Sequence, residues 1–170
     1  MIVTGYPAPR ERQSTPPQPS PLYLESTQQG ERHSGAVQSP ASPGNLGHVQ
    51  AFNPDGSGKD VLIESLLIQT TVDMRVTLYR GQTALPNFAG VWRSLGDLRI
   101  PGVVELRHEQ SAGTAGDPIA TLAVRAFDSI VPIPIGVWLI PGHAIWAQAT
   151  VVNVLFGATF QGRERPRRVF

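Results

Sequence analysis

Cysteine is absent from the chain, which removes disulfide staples, thiolate nucleophiles and cysteine-bound zinc together. No apolar run reaches the roughly 18 to 20 residues that a membrane helix needs. The first residues also lack the charged and apolar regions of a secretory signal, so the expectation is a soluble protein not exported by that route. No segment carries a convincing amphipathic helical period.

The usual signatures of catalysis are missing too. The four histidines, His33, His48, His108 and His143, are far apart and lack metal-ligand spacing, although a jelly roll can bring His108, Glu105 and His143 together from distant strands. Serines are common, but none sits in a G-x-S-x-G elbow. Glu105 and Glu109 share one strand face and read as solvent-facing acids, since glycoside hydrolysis needs a defined separation across a cleft. The piece Gly56-Ser57-Gly58-Lys59 is too short between its glycines for a phosphate-binding loop, and a β-rich run rather than a helix follows it. The body also lacks interleaved basic and aromatic residues of the kind that bind single-stranded nucleic acid. These absences lead to a non-enzymatic reading, with no catalytic, cofactor or metal residues, no membrane partner and nothing in the body that points to nucleic acid.

What is present is a sequence of strands. Hydrophobic residues make up 41% of the chain and are concentrated after Leu46. Val72, Met74, Val76 and Leu78 alternate with Asp73, Arg75, Thr77 and Tyr79, as a half-exposed strand requires. Ile145, Ala147, Ala149 and Val151 repeat the pattern, as do Val154, Phe156, Ala158 and Phe160. These two runs read as a pair of strands forming one core seam. Pro141 and Gly142 suit the central positions of a type II turn. Leu122, Val124 and Ala126 mark another strand. Pro132 and Pro134 cannot donate to a ladder, so residues 130–135 belong at an edge or in a crossing segment. Residues 81–101 read as a long connection in which Trp92 plugs the core or offers a ligand platform. The total is about eight strands, spaced near ten residues, which predicts an antiparallel β-sandwich or jelly roll, with a barrel as the alternative.

Two ends flank this body, residues 47–161. Residues 1–46 hold Pro7, Pro9, Pro16, Pro17, Pro19, Pro21, Pro40 and Pro43 among polar residues. Such a composition buries too little apolar surface to offset the entropy of ordering, so an extended N-terminal arm is expected to gain its shape against neighbouring subunits. Its anchor candidates are Tyr6, Leu22, Tyr23 and Leu24, which can add to a sheet edge or fill pockets. Residues 162–170 read as a short basic C-terminal arm. There Arg163, Arg165, Arg167 and Arg168 face only Glu164, and they are candidate contacts to an acidic partner surface or to nucleic acid.

Phe52-Asn53-Pro54-Asp55-Gly56-Ser57-Gly58-Lys59, followed by a Val-Leu-Ile-rich strand, resembles the turn that opens small β-sandwich virion proteins of tailed bacteriophages. Leu139-Ile140-Pro141-Gly142, then Asn153 and the strand from Phe156 to Phe160, resembles the closing hairpin of that group. The resemblance covers residues 46–161. It implies a capsid cement or decoration protein on the virion surface, whose partners are the major capsid protein and neighbouring copies of itself. A tail or fibre-attachment protein is one alternative. A carbohydrate-binding β-sandwich stacking sugars on Trp92, Trp138 or Trp146 is another.

Overall fold

The computed structural model describes residues 32–113, 116–127 and 132–167. They form ten strands: β1 (Arg32–Ser39), β2 (Leu46–Asn53), β3 (Lys59–Thr70), β4 (Met74–Gly81), β5 (Asn87–Ser94), β6 (Pro101–Ser111), β7 (Asp117–Val124), β8 (Ile133–Leu139), β9 (His143–Val152) and β10 (Phe156–Pro166). There is no helix among the described residues. All strands belong to one antiparallel sheet in the order β7-β4-β9-β2-β6-β5-β1-β10-β3-β8. The sheet curls so that its inner face closes on itself. Val49 of β2, Val76 of β4 and Ala147 of β9 share one buried cluster with Ile63 of β3, Trp92 of β5, Leu106 of β6 and Phe156 and Phe160 of β10.

Alternation does what was expected of it along β4, β9 and β10. Met74, Val76 and Leu78 point inward, as do Ile145, Ala147 and Ala149, and Val154, Phe156, Ala158 and Phe160 are buried as well. Val72 and Val151 do not follow the pattern: Val72 precedes β4, Val151 lies at the outer end of β9, and both are exposed. Nor are β9 and β10 partners, since β9 pairs with β2 and β4 while β10 pairs with β1 and β3. The Pro141-Gly142 corner is a turn closed by the His143 N–H on the Ile140 carbonyl (3.1 Å), with Gly142 at φ 81°, which is the type II geometry. β8 is an edge strand, consistent with its proline.

The strand count and the boundaries differ from the sequence expectation in three places. Residues 32–39, read as part of the arm, are β1, inserted between β10 and β5 with Val37 in the core. Its other inward positions are His33, Gly35 and Ser39, too polar or small to show as a strand. The connection 81–101 contains β5, whose period is broken at Gly90 (φ 153°), where the register with β6 shifts; a bulge of this kind hides alternation. At the C-terminus β10 runs on to Pro166. The Arg163 and Arg165 backbones are therefore paired with β3 and do not belong to a free arm. The bulge between Gln161 and Gly162 lets the strand continue past its apolar half.

Following the antiparallel pairs across the sheet, β4 and β5 point the same way. The connection 82–86 therefore returns over the outer face of β2. Gln50 fastens it, donating to the Thr83 carbonyl (2.9 Å) and accepting from the Leu85 N–H (2.8 Å). Beneath it Phe52, Ala144 and Trp146 make a second small cluster with Tyr79 and Ala84. This cover explains why β2 and much of β9 are buried on both faces.

Candidate functional site

The lower end of the sheet, where β1 begins and β10 finishes, concentrates the buried polar chemistry. Glu164 follows the β10 bulge and points inward, only 5% exposed. Its Oε1 accepts from Trp92 Nε1 (2.7 Å) and from the Val103 N–H (2.5 Å), and its Oε2 accepts from Lys59 Nζ (2.5 Å). Burial by itself would push this carboxyl up. The hydrogen bonds from Lys59, Trp92 and Val103, with the electrostatic pull of His33, outweigh it and hold Glu164 below the usual carboxylate range. His33 stacks on Trp92 with ring centroids 5.3 Å apart. Gly102 is required beside them, because any Cβ there would run into the Trp92 indole and the Glu164 carboxylate. The arrangement locks β10 to β3, β5 and β6 across the end of the core, and Trp92 is a core plug.

On the outer face of the same strands runs an ionic ladder. Glu64 bridges Arg32 (2.8 Å) and Arg163 (2.7 Å), while Arg165 reaches Asp60 (3.7 Å) and lies 3.9 Å from the Trp138 ring centre. Arg163 and Arg165 are thus engaged within the subunit. Arg167 has an exposed side chain, and its N–H donates to the Gly58 carbonyl (3.0 Å). Tyr6, Leu22, Tyr23, Leu24 and Arg168 lie outside the described residues.

Above the β8–β9 turn opens a groove of about 510 Å³ lined by Arg80, Gln82, Asp117, Trp138 and His143. His143 Nδ1 lies 3.2 Å from the Pro141 carbonyl and Nε2 lies 3.2 Å from Gln82 Nε2. Carbonyls accept, so Nδ1 carries the proton and Nε2 accepts from the Gln82 amide. Of the three tryptophans only Trp138 is accessible, at 47%; Trp92 and Trp146 are buried. The other histidines are dispersed. His48 is fully buried against Ser111 Oγ (3.1 Å), and burial pushes its imidazole down against the opposing pull of Glu109 and a hydrogen bond to Ser111. Glu105, His108 and His143 are not brought together. Glu105 pairs with Arg107 (2.7 Å) on the outer face, His108 sits opposite Val49, and His143 sits opposite Asn53. Among the described residues no cluster of three metal-ligating side chains forms.

Exposed apolar residues gather at both ends. Leu95, Leu98 (70% exposed) and Ile100 occupy the β5–β6 loop, which the Leu95 N–H ties to the Arg32 carbonyl (2.8 Å). At the opposite end Val72, Val151, Val152, Leu155 and Phe127 (77% exposed) crown the turns. Phe127 is held out at φ 58°, and it shares a hollow of about 270 Å³ with Leu155, Thr70 and Thr71.

Comparison of the chain with protein-family models, with curated proteins and with solved structures yielded no match.

Proposed function

We propose that this chain is a non-enzymatic structural subunit of a bacteriophage particle, a cement or decoration protein that lies across major capsid subunits and neighbouring copies. One observation carries the reading: both ends of the β body present clustered apolar side chains to solvent, Leu95, Leu98 and Ile100 at one and Val72, Phe127 and Leu155 at the other. Exposed apolar side chains grouped on the same turns favour contact with other subunits. Many symmetry-related copies turn modest contacts into strong cumulative attachment. A sandwich or jelly-roll description of the body is supported by the way residues of β2, β4 and β9 meet residues of β3 and β10 in one cluster. The test is electron microscopy of purified heads, where the protein should occupy icosahedral positions. Deletion of residues 1–31, which spares β1, should abolish decoration while leaving the body folded. A deletion that still decorates heads with full affinity refutes the arm's role. A copy number far below that of the major capsid protein would favour a tail or fibre-attachment position.

A second reading, glycan binding, is favoured by Trp138 beside Asp117, Arg80 and Gln82 in the open groove. Glycan-array binding lost in Trp138→Ala would favour it over the capsid role.

A further inference from the structure

Among the described residues the curled sheet stops one seam short of a barrel, since β7 and β8 stand at the two ends of the strand order. They nevertheless face each other across a slot of about 310 Å³, with Leu78 of β4 on its floor, Ile119 and Leu122 of β7 on one side and Ile133 and Ile135 of β8 on the other. The slot runs into the groove described above, sharing Arg80 and Val137 with it.

The two edges are not equally protected. Pro134 has no N–H to offer and Gly136 sits at φ 60°, so β8 is poorly shaped for a further partner. β7 carries Asp117 and Pro118 at its start, but Ile119, Ala120, Thr121, Leu122, Ala123 and Val124 include neither charge nor proline. Every one of these six residues is exposed or half-exposed. Natural sheets blunt, twist or cover such an edge.

We infer that the free edge of β7 accepts residues 22–27 of a neighbouring copy as an added strand, filling the slot and closing the seam. The inference rests on the assembly reading given above. Residues 22–27, Leu-Tyr-Leu-Glu-Ser-Thr, lie between Pro21 and the next proline, Pro40, so every residue has an N–H to donate. In extended form Leu22 and Leu24 share one side and Tyr23 and Glu25 the other, which suits a slot apolar within and open without. The earlier proline-free piece has Ile2 and Val3 adjacent, on opposite sides, and fits less well. The donor is a neighbour, as the assembly reading requires, because a tie within one chain would have to run taut. Residue 27 is five Cα steps from Arg32, about 18 Å at full extension, and the slot lies four strand spacings from β1 through β10, β3 and β8, about 19 Å along the sheet. A neighbour's arm is under no such tension.

Because the native chain has no cysteine, cross-linking reads this contact cleanly. Tyr23→Cys combined with Thr121→Cys or with Ala123→Cys, both exposed on β7, is oxidised in the full-length protein and run on non-reducing gels. At least one pair should give a ladder of covalent dimers and higher species that collapses with reductant. The ladder should also disappear when Leu22→Asp and Leu24→Asp are added. Absence of a ladder from both pairs, or a product confined to internally linked monomer, overturns the inference. Cosedimentation of the native protein with heads is measured in parallel: binding without cross-links removes the slot contact alone, whereas cross-links without binding remove the capsid reading alone.

Discussion

Replacing Glu164 with glutamine tests the lock that ties the end of β10 into the body. The amide oxygen can take the place of Oε1 and keep the bonds from Trp92 and Val103, but the NH2 group then faces Lys59 Nζ, donor against donor. Lys59 is 40% exposed and can turn to water, so the loss falls short of the 3–5 kcal/mol typical of stranding one partner of a buried pair. It should equal roughly one charge-assisted hydrogen bond, about 1.5–3 kcal/mol. For a body of this size that corresponds to a fall in Tm on the order of 5–10 °C. The sign of the pH dependence follows from the depressed carboxyl. Between its folded value and the ordinary value of about 4.3, the unfolded chain holds a proton that the native protein lacks, so the native advantage is complete above that ordinary value. It shrinks as pH falls and is gone below the folded pKa. Urea unfolding of native protein and Glu164→Gln, followed by tryptophan fluorescence from pH 7 to pH 3, should show two curves that converge toward acid. A gap that stays constant over that range, or one below about 0.5 kcal/mol at pH 7, would refute the account.

The neutral, buried His48 supplies a second pH signature: its imidazole is held below the ordinary value of about 6.5, so the unfolded chain gains a proton first and stability should fall as pH drops below that value. His48→Gln should flatten the slope between pH 7 and pH 5.5, and an unchanged slope in equilibrium unfolding would contradict the assignment. The tryptophans should separate sharply by environment. Trp92→Ala empties a fully buried site and removes one of the three donors to Glu164, costing about 3–5 kcal/mol, while Trp138→Ala gives up an exposed ring and its Arg165 contact, about 0.5–1 kcal/mol. Comparable losses in chemical denaturation would show that the end lock is not where stability resides.

The all-β class, the type II corner at Pro141-Gly142 and the inward residues of β4, β9 and β10 follow from the sequence by itself. Side-chain alternation and turn chemistry are local properties, visible wherever the inward positions are strongly apolar. Where they are not, as at His33, Gly35 and Ser39 of β1, or where a bulge interrupts them, as at Gly90 of β5, the strand exists because neighbours pair with it. Only tertiary structure decided that β9 and β10 part company, that Glu164 turns inward to meet Trp92 and Lys59, and that the arginines beside it serve the subunit's own acids. Pairing and burial join residues such as Lys59 and Glu164, far apart along the chain, and no local pattern encodes which distant backbone will satisfy a given N–H or carboxylate.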